Sequence, residues 1–284
     1  MKVLVTGANG QLGYDVVKEL KRQNIEYYGA RRQDFDIVDF EATENFIKNY
    51  MPDAVIHCAA YTAVDKAEDE QWLCYLVNAS ATENIAKICK KINAKMLYIS
   101  TDYVFDGTKN DFYEVDDKPN PINVYGKTKL LGEQVVQRIL EKYYIVRISW
   151  VFGEHGNNFV KTMLRLGKER KEINVVADQY GSPTYTADLA PLLIDMIKTD
   201  KYGIYHATNE GVCTWAKFAE EIFKITGMDV RVKYITTTEY PTRAKRPVNS
   251  RFDKEKLNRN NFSKLRNWDE ALKDFLMINK DEFK

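Results

Sequence analysis

The sequence predicts an α/β fold: a parallel sheet covered by helices on both faces, followed by a smaller α/β lobe. Three observations predict it. Short β-branched apolar runs alternate with longer amphipathic segments through the first half, the rhythm of right-handed βαβ units. Those runs lack the polar alternation of a strand with one wet face, so both faces of the sheet are covered. After Trp150 the rhythm loosens, which marks a second lobe. The expected division is residues 1–150 for the sheet domain, with later segments returning to it, and 151–284 mainly for the second lobe.

In chain order, Lys2–Thr6 reads as a buried strand and Gln11–Arg22 as a helix, with Leu12, Val16, Val17 and Leu20 on one face. Ile25–Tyr28 is the second strand. Glu41–Tyr50 is a helix that stops before Pro52. Ala54–His57 is the third strand, Asp69–Lys91 one long helix, and Lys95–Ile99 the fourth strand. Asn123–Lys142 is another long helix, followed by the strand Tyr144–Ile148. In the second lobe, helices are expected at Phe159–Lys168, Ala187–Lys198 and Thr214–Thr226, and short strands at Ile173–Val176 and Arg231–Ile235. A loop rich in Pro, Arg and Ser runs from Tyr240 to Arg251. A cleft between the lobes, at the carboxyl ends of the strands, is where such sheets bind ligands.

Composition bounds the function classes. The 284 residues carry 42 basic and 41 acidic side chains, a net charge of +1, which argues against a surface built for nucleic acid. No apolar stretch approaches the roughly 18–20 residues of a membrane span. The start, Met1–Gly7, is too short an apolar run for a signal peptide. Cys58, Cys74, Cys89 and Cys213 form no CxxC pair and read as buried free thiols, which fits a reducing compartment. The expected location is cytoplasmic.

The first strand runs straight into Gly7-Ala8-Asn9-Gly10-Gln11-Leu12-Gly13 and then a helix. A glycine loop between a strand and a helix is the dinucleotide-binding context of a Rossmann-like, doubly wound sheet. Gly7 allows the tight turn, Gly10 admits a pyrophosphate, and Gly13 lets the helix pack on the strand. The helix N-terminus offers free N–H groups to the phosphates. The bland alternative is an ordinary strand–helix turn. The GxxGxxG spacing resembles the short-chain dehydrogenase/reductase superfamily. Asp34 and Asp36 follow the second strand and suit the ribose hydroxyls of NAD, whereas Arg31 and Arg32 suit the 2′-phosphate of NADP. The cofactor is therefore NADPH or NADH. Asp36 and Ile37 are expected beside the adenine. Ala59, Ala60 and Thr62 provide the small residues over which the cofactor crosses the sheet edge, and His57 reads as a packed core histidine.

Tyr125 and Lys129 lie at i and i+4, hence on one helix face. Carbonyl reduction by hydride needs a proton for the developing alkoxide, and a tyrosine can donate it if its phenolate is stabilised by a nearby ammonium. YxxxK is common by chance. Its value here is its place, one helix after a strand ending in Ser100-Thr101-Asp102-Tyr103. Thr101 is the candidate to hydrogen-bond the substrate oxygen, with Ser100 as fallback; strand capping is the bland reading.

These motifs occur in order with Ser149-Trp150-Val151-Phe152, Gly156-Asn157-Asn158-Phe159 and Arg246-Pro247-Val248-Asn249-Ser250-Arg251. Together they closely resemble the dTDP-4-dehydrorhamnose reductase family, from Lys2 to about Ile278. The stretches Thr62–Glu68 and Val175–Thr184 also fit that pattern. The resemblance implies reduction of the 4-keto group of dTDP-4-dehydro-L-rhamnose by NAD(P)H, giving dTDP-L-rhamnose for cell-envelope polysaccharide. It implies Thr101, Tyr125 and Lys129 as the catalytic set, and cofactor contacts from Gly7, Asn9, Gly10, Gln11, Leu12 and Gly13. It places Tyr103, Trp150, Asn157, Asn158 and Phe159 at the sugar, and Arg246 and Arg251 suit the nucleoside diphosphate. Some relatives dimerise through Mg2+ held by glutamates. Here Asp15 and Ala187 stand near the expected positions, so no metal and a monomer or weak homodimer are expected. The rival readings are a sugar-nucleotide epimerase or dehydratase of the same superfamily, and a non-catalytic regulatory subunit on the same fold. A dehydratase usually carries an Asp–Glu pair after the threonine, where this chain has Asp102-Tyr103.

Overall fold

The computed structural model describes residues 1–279. Five strands of the central sheet come from the first half: β1 (Lys2–Thr6), β2 (Glu26–Ala30), β3 (Ala54–His57), β4 (Lys95–Thr101) and β5 (Tyr143–Ile148). A sixth, Gly203–His206, arrives from the second half and pairs with β5. Across the sheet the order is Gly203–His206, β5, β4, β3, β1, β2, and every pairing is parallel. The order reverses between β1 and β3, and that switch point opens a crevice at the strands' carboxyl ends.

Both faces are covered, as the unbroken apolar strands require. Val3, Val5, Ile56, Leu97 and Val146 point to one side, where α1 (Gln11–Arg22) packs. Leu4, Val55, Met96 and Ile145 point to the other, against α2 (Phe40–Tyr50).

The expected single helix Asp69–Lys91 is broken. The short helix α3 (Val64–Ala67) precedes it, and the segment itself holds α4 (Gln71–Tyr75), a wide turn at Leu76–Ser80, and α5 (Ala81–Lys91). The wide turn lodges Asn78 in the interior, where its amide bonds the backbone N–H and C=O of Tyr61 and the Thr128 hydroxyl. One inserted residue of this kind leaves the apolar periodicity of the sequence almost unchanged. Helix α6 (Val124–Ile139) follows β4 and starts at Asn123, whose side chain accepts the Gly126 N–H at 2.7 Å.

The second lobe has its own core of Phe152, Val160, Met163, Phe218, Ile222 and Phe275. It is built from α7 (Phe159–Glu169), the parallel strands Glu172–Val176 and Arg231–Ile235, and the helix Trp268–Ile278. The chain does not stay there. Helix α8 (Thr186–Ile197) packs against α1 through Leu189, Leu193 and Ile197, within the sheet's core. The sixth strand also belongs to that first lobe. Its sequence, Gly-Ile-Tyr-His, lacks a β-branched run, so it is not legible as a sheet strand. Helix α9 (Trp215–Thr226) then returns to the second lobe. Among the described residues no helix is long and apolar enough to cross a membrane. The four cysteines are free, three of them buried, while Cys58 is half-buried at the cleft.

Candidate active site

A cleft of about 800 Å³ runs along the carboxyl ends of β1 to β5. One end is formed by the glycine loop. Gly7 adopts φ +68°, and a Cβ there would sit 2.7 Å from the Ala59 nitrogen. A Cβ on Gly13 would sit 2.2 Å from the Gly7 carbonyl oxygen, so only glycine lets α1 begin this close to the strand. Gly10 is different. Its nearest neighbour would be the Gly7 oxygen at 3.3 Å, and it caps α1 with no side-chain hydrogen bond. The first turn of α1 therefore presents its N–H groups to the cleft, a ready site for a diphosphate.

All fourteen residues expected at the cofactor line this cleft: Gly7, Asn9 through Gly13, Arg31, Asp36, Ile37, Ala59, Ala60, Thr62, Tyr125 and Lys129. At the tip of β2 the charges are unequal. Asp36 is engaged by Arg32 at 2.8 Å and by the Val38 N–H. Asp34 accepts the Arg31 N–H and the Tyr28 hydroxyl. The Arg31 guanidinium is exposed, and among the described residues no acidic side chain pairs with it. His57 is buried and held on both ring nitrogens by Thr6 and Thr82, a core histidine.

The groups expected to react also line this cleft. β4 ends at Thr101, and the first turn of α6 brings Tyr125 beside it; Tyr103 meets the Tyr125 ring edge-on at 5.6 Å. Burial pushes the Tyr125 phenol well above its ordinary pKa, offset in part by the Thr101 hydroxyl. Burial pulls Lys129 down to about 7, opposed by Glu133, Cys58 and Cys74. Its ammonium donates to the Ile99 carbonyl at 2.6 Å and lies 4.0 Å from the Tyr98 ring centre. Ser100, the fallback hydroxyl, is committed to the buried Glu133 carboxylate, itself paired with Arg147 at 2.7 Å.

The expected substrate residues divide. Tyr103, Trp150 and Asn157 line the cleft. Trp150 has φ +49° and stacks on Trp215 at 3.8 Å. A Cβ on Gly181 would strike the Trp150 ring at 2.8 Å, so that glycine makes room for the indole. Asn158 does not line the cleft. It caps α7 and donates to Gln11 and the Gly153 carbonyl, tying the second lobe to the glycine loop. Phe159 packs on Trp215 and Phe218 behind Trp150. Arg246 is held by both oxygens of Asp65, and Arg251 by Asn249 and the Asn110 carbonyl, away from the cleft lining. Asp15 is buried with its carboxylate bonded to Thr186, the residue before Ala187.

Reading the sequence for motifs missed three residues that organise this end. Asp65 holds Arg246, Asp102 accepts from both Thr101 and Ser250, and Gly181 seats Trp150. The signals available were Asp65 within Thr62–Glu68, Asp102 after Thr101, and Gly181 within Val175–Thr184.

Sheet order, glycine loop and the Thr101–Tyr125–Lys129 cluster define an extended short-chain dehydrogenase/reductase. A family model described as the RmlD substrate binding domain matches residues 1–280. The chain is 41% identical to a dTDP-4-dehydrorhamnose reductase of Aggregatibacter actinomycetemcomitans, over 96% of this chain and 97% of that one. It is 38% identical to the spore coat polysaccharide biosynthesis protein SpsK of Bacillus subtilis, over 97% and 96%. A crystal structure of the dTDP-4-dehydrorhamnose reductase of Bacillus anthracis in complex with NADP superposes with a TM-score of 0.95 at 45% identity, covering 98% of this chain and 99% of that one. The chain belongs to the dTDP-4-dehydrorhamnose reductase family.

Proposed function

We propose that this protein reduces the 4-keto group of dTDP-4-dehydro-L-rhamnose to give dTDP-L-rhamnose, with NADPH as the preferred cofactor. The observation that carries the reading is the meeting of Thr101, Tyr125 and Lys129 with the glycine loop in one cleft. When bound in this cleft, NADPH would supply the hydride for the reduction.

The chain's own groups do the rest. The first turn of α1 holds the pyrophosphate, and Arg31 pairs with the 2′-phosphate. Arg31 favours NADPH over NADH because Asp36, the group suited to a free ribose, is engaged by Arg32. Tyr125 gives its proton to the keto oxygen as the alkoxide develops, and burial keeps that phenol protonated until then. Lys129 would hold the nicotinamide ribose. Trp150 and Tyr103 form an apolar wall for the methyl face of the deoxysugar, and Asn157 hydrogen-bonds its hydroxyls. Arg246 neutralises the nucleoside diphosphate by exchanging part of its pairing with Asp65. Asn158, Phe159 and Arg251 support this end from behind.

The test is the loss of NADPH absorbance with dTDP-4-dehydro-L-rhamnose. Tyr125→Phe should lower kcat by about 10²–10⁴-fold while the NADPH Kd stays within about twofold. Absence of oxidation by the unmodified protein with fresh substrate would sink the reductase reading. Parallel loss of turnover and NADPH binding in the variant would make Tyr125 structural.

A further inference from the structure

Asp102 lies directly after Thr101 and is 2% exposed. Among the described residues it has no cation partner; its two oxygens are taken by hydroxyl groups. Thr101 donates to Oδ1 at 3.0 Å and Ser250 donates to Oδ2 at 2.5 Å. A buried carboxylate without a cation is costly, and an apolar side chain would fill the same space at less cost. Burial raises Asp102 to about 6, opposed by the Ser250 and Thr101 hydroxyls.

The proton count at Thr101 gives the carboxylate a task. A threonine hydroxyl has one proton and two lone pairs. The proton goes to Asp102, and one lone pair takes the Tyr103 N–H at 3.2 Å. One lone pair remains, on a residue that lines the cleft together with Tyr125, whose ring meets that of Tyr103, the next residue but one after Thr101. The chain from Ser250 through Asp102 to Thr101 thus converges on the Asp102 carboxylate and leaves the Thr101 oxygen as an acceptor. Its far end is anchored, because Ser250 is 3% exposed and its N–H donates to the Tyr180 carbonyl at 2.7 Å. Four residues earlier in the same loop, Arg246 grips Asp65.

We propose that Asp102 is a positioning residue for the reduction: it takes the Thr101 proton, so that Thr101 offers Tyr125 an oxygen, and it ties that arrangement to the substrate-side loop through Ser250. Thr101 then holds the phenol in place until a carbonyl oxygen replaces it as acceptor, and Tyr125 is the proton donor at that carbonyl. This rests on the reductase reading above. It revises the expected part of Thr101 from donor toward the substrate oxygen to acceptor from Tyr125.

The test compares Asp102→Ala, Asp102→Asn and Ser250→Ala in the full chain. Asp102→Ala should lower kcat at least about tenfold with the NADPH Kd within about twofold. Asp102→Asn keeps an acceptor for Thr101 and a partner for Ser250, and should recover most of that loss. Ser250→Ala should lower kcat a few-fold and raise KM for the sugar nucleotide. Equal loss in the alanine and asparagine variants, or a fall that follows NADPH affinity and Tm, would overturn the proposal. Crystal structures of both Asp102 variants with NADP+ read the geometry without turnover. Thr101 should rotate away from Tyr125 in the alanine variant and return in the asparagine variant. An unmoved Thr101 in Asp102→Ala overturns the positioning role even if the unmodified protein reduces nothing, an outcome that would by itself discard only the reductase reading.

Discussion

The two ends of the cleft are built from different materials. At the cofactor end the surface is backbone: a left-handed turn at Gly7, a helix start at Gly10, and a close approach at Gly13. At the substrate end it is side chains reaching across the lobes, with Arg246 on Asp65, Arg243 on Asp69 and Asn123 on the Lys245 carbonyl. Backbone geometry is rigid and exists before any ligand arrives. Paired side chains are set by their partners and can exchange them. The cofactor end is therefore preformed, and the substrate end is latched.

The largest effect that could break this contrast is at Gly13. A methyl group there meets the Gly7 oxygen at 2.2 Å, and α1 cannot retreat because Leu12, Val16 and Leu20 are buried against the sheet. Gly13→Ala should weaken NADPH at least about 100-fold and cost roughly 2–3 kcal/mol of stability, read by calorimetric titration and thermal unfolding. Unmodified affinity in this variant would mean that the loop adapts and is not preformed.

The matching substitution at the other end is Gly181→Ala, which pushes a methyl group into the Trp150 ring. KM for the sugar nucleotide should rise about tenfold, with stability reduced by roughly 1–2 kcal/mol and the NADPH Kd unchanged. A comparable loss of NADPH affinity would erase the distinction between the two ends.

The same contrast explains what could be read from the sequence. A backbone site demands particular residues at fixed local spacing, so Gly7, Gly10 and Gly13 announced the dinucleotide site, and the apolar runs of β1 to β5 announced the sheet. Tyr125 and Lys129 share a helix face for the same local reason. The latches join residues far apart in the chain, such as Asp65 with Arg246 and Asp102 with Ser250. No local spacing records them. The loop arginines were therefore legible as charges, but not as charges already paired. Asn158 was legible as a polar residue near the site, but not as the cap of α7. The sixth strand was lost because its place depends on β5, some sixty residues earlier, rather than on its own pattern.

A preformed site also carries a cost that a latched one avoids, and Lys129 makes it measurable. It is 3% exposed, with its ammonium on the Ile99 carbonyl and the Tyr98 ring. Desolvation lowers its folded pKa to about 7, far below the unfolded value, while Glu133 opposes the shift. The sign follows from linkage. Below about pH 7 both states bind the proton, and the penalty of burying the charge is fully present. As pH rises from about 7 toward the unfolded pKa, the unfolded chain binds more protons than the folded one, so this group makes stability rise with pH. Lys129→Met removes that slope. Its stability relative to the unmodified, ligand-free protein should therefore fall by on the order of 1–2 kcal/mol between pH 7 and pH 9, measured by urea unfolding at each pH. Comparing slopes cancels the lost contact with Ile99, which does not titrate. Parallel pH profiles for the two proteins would show that the buried ammonium is already compensated in the ligand-free state, and that the cofactor end holds its charge without strain.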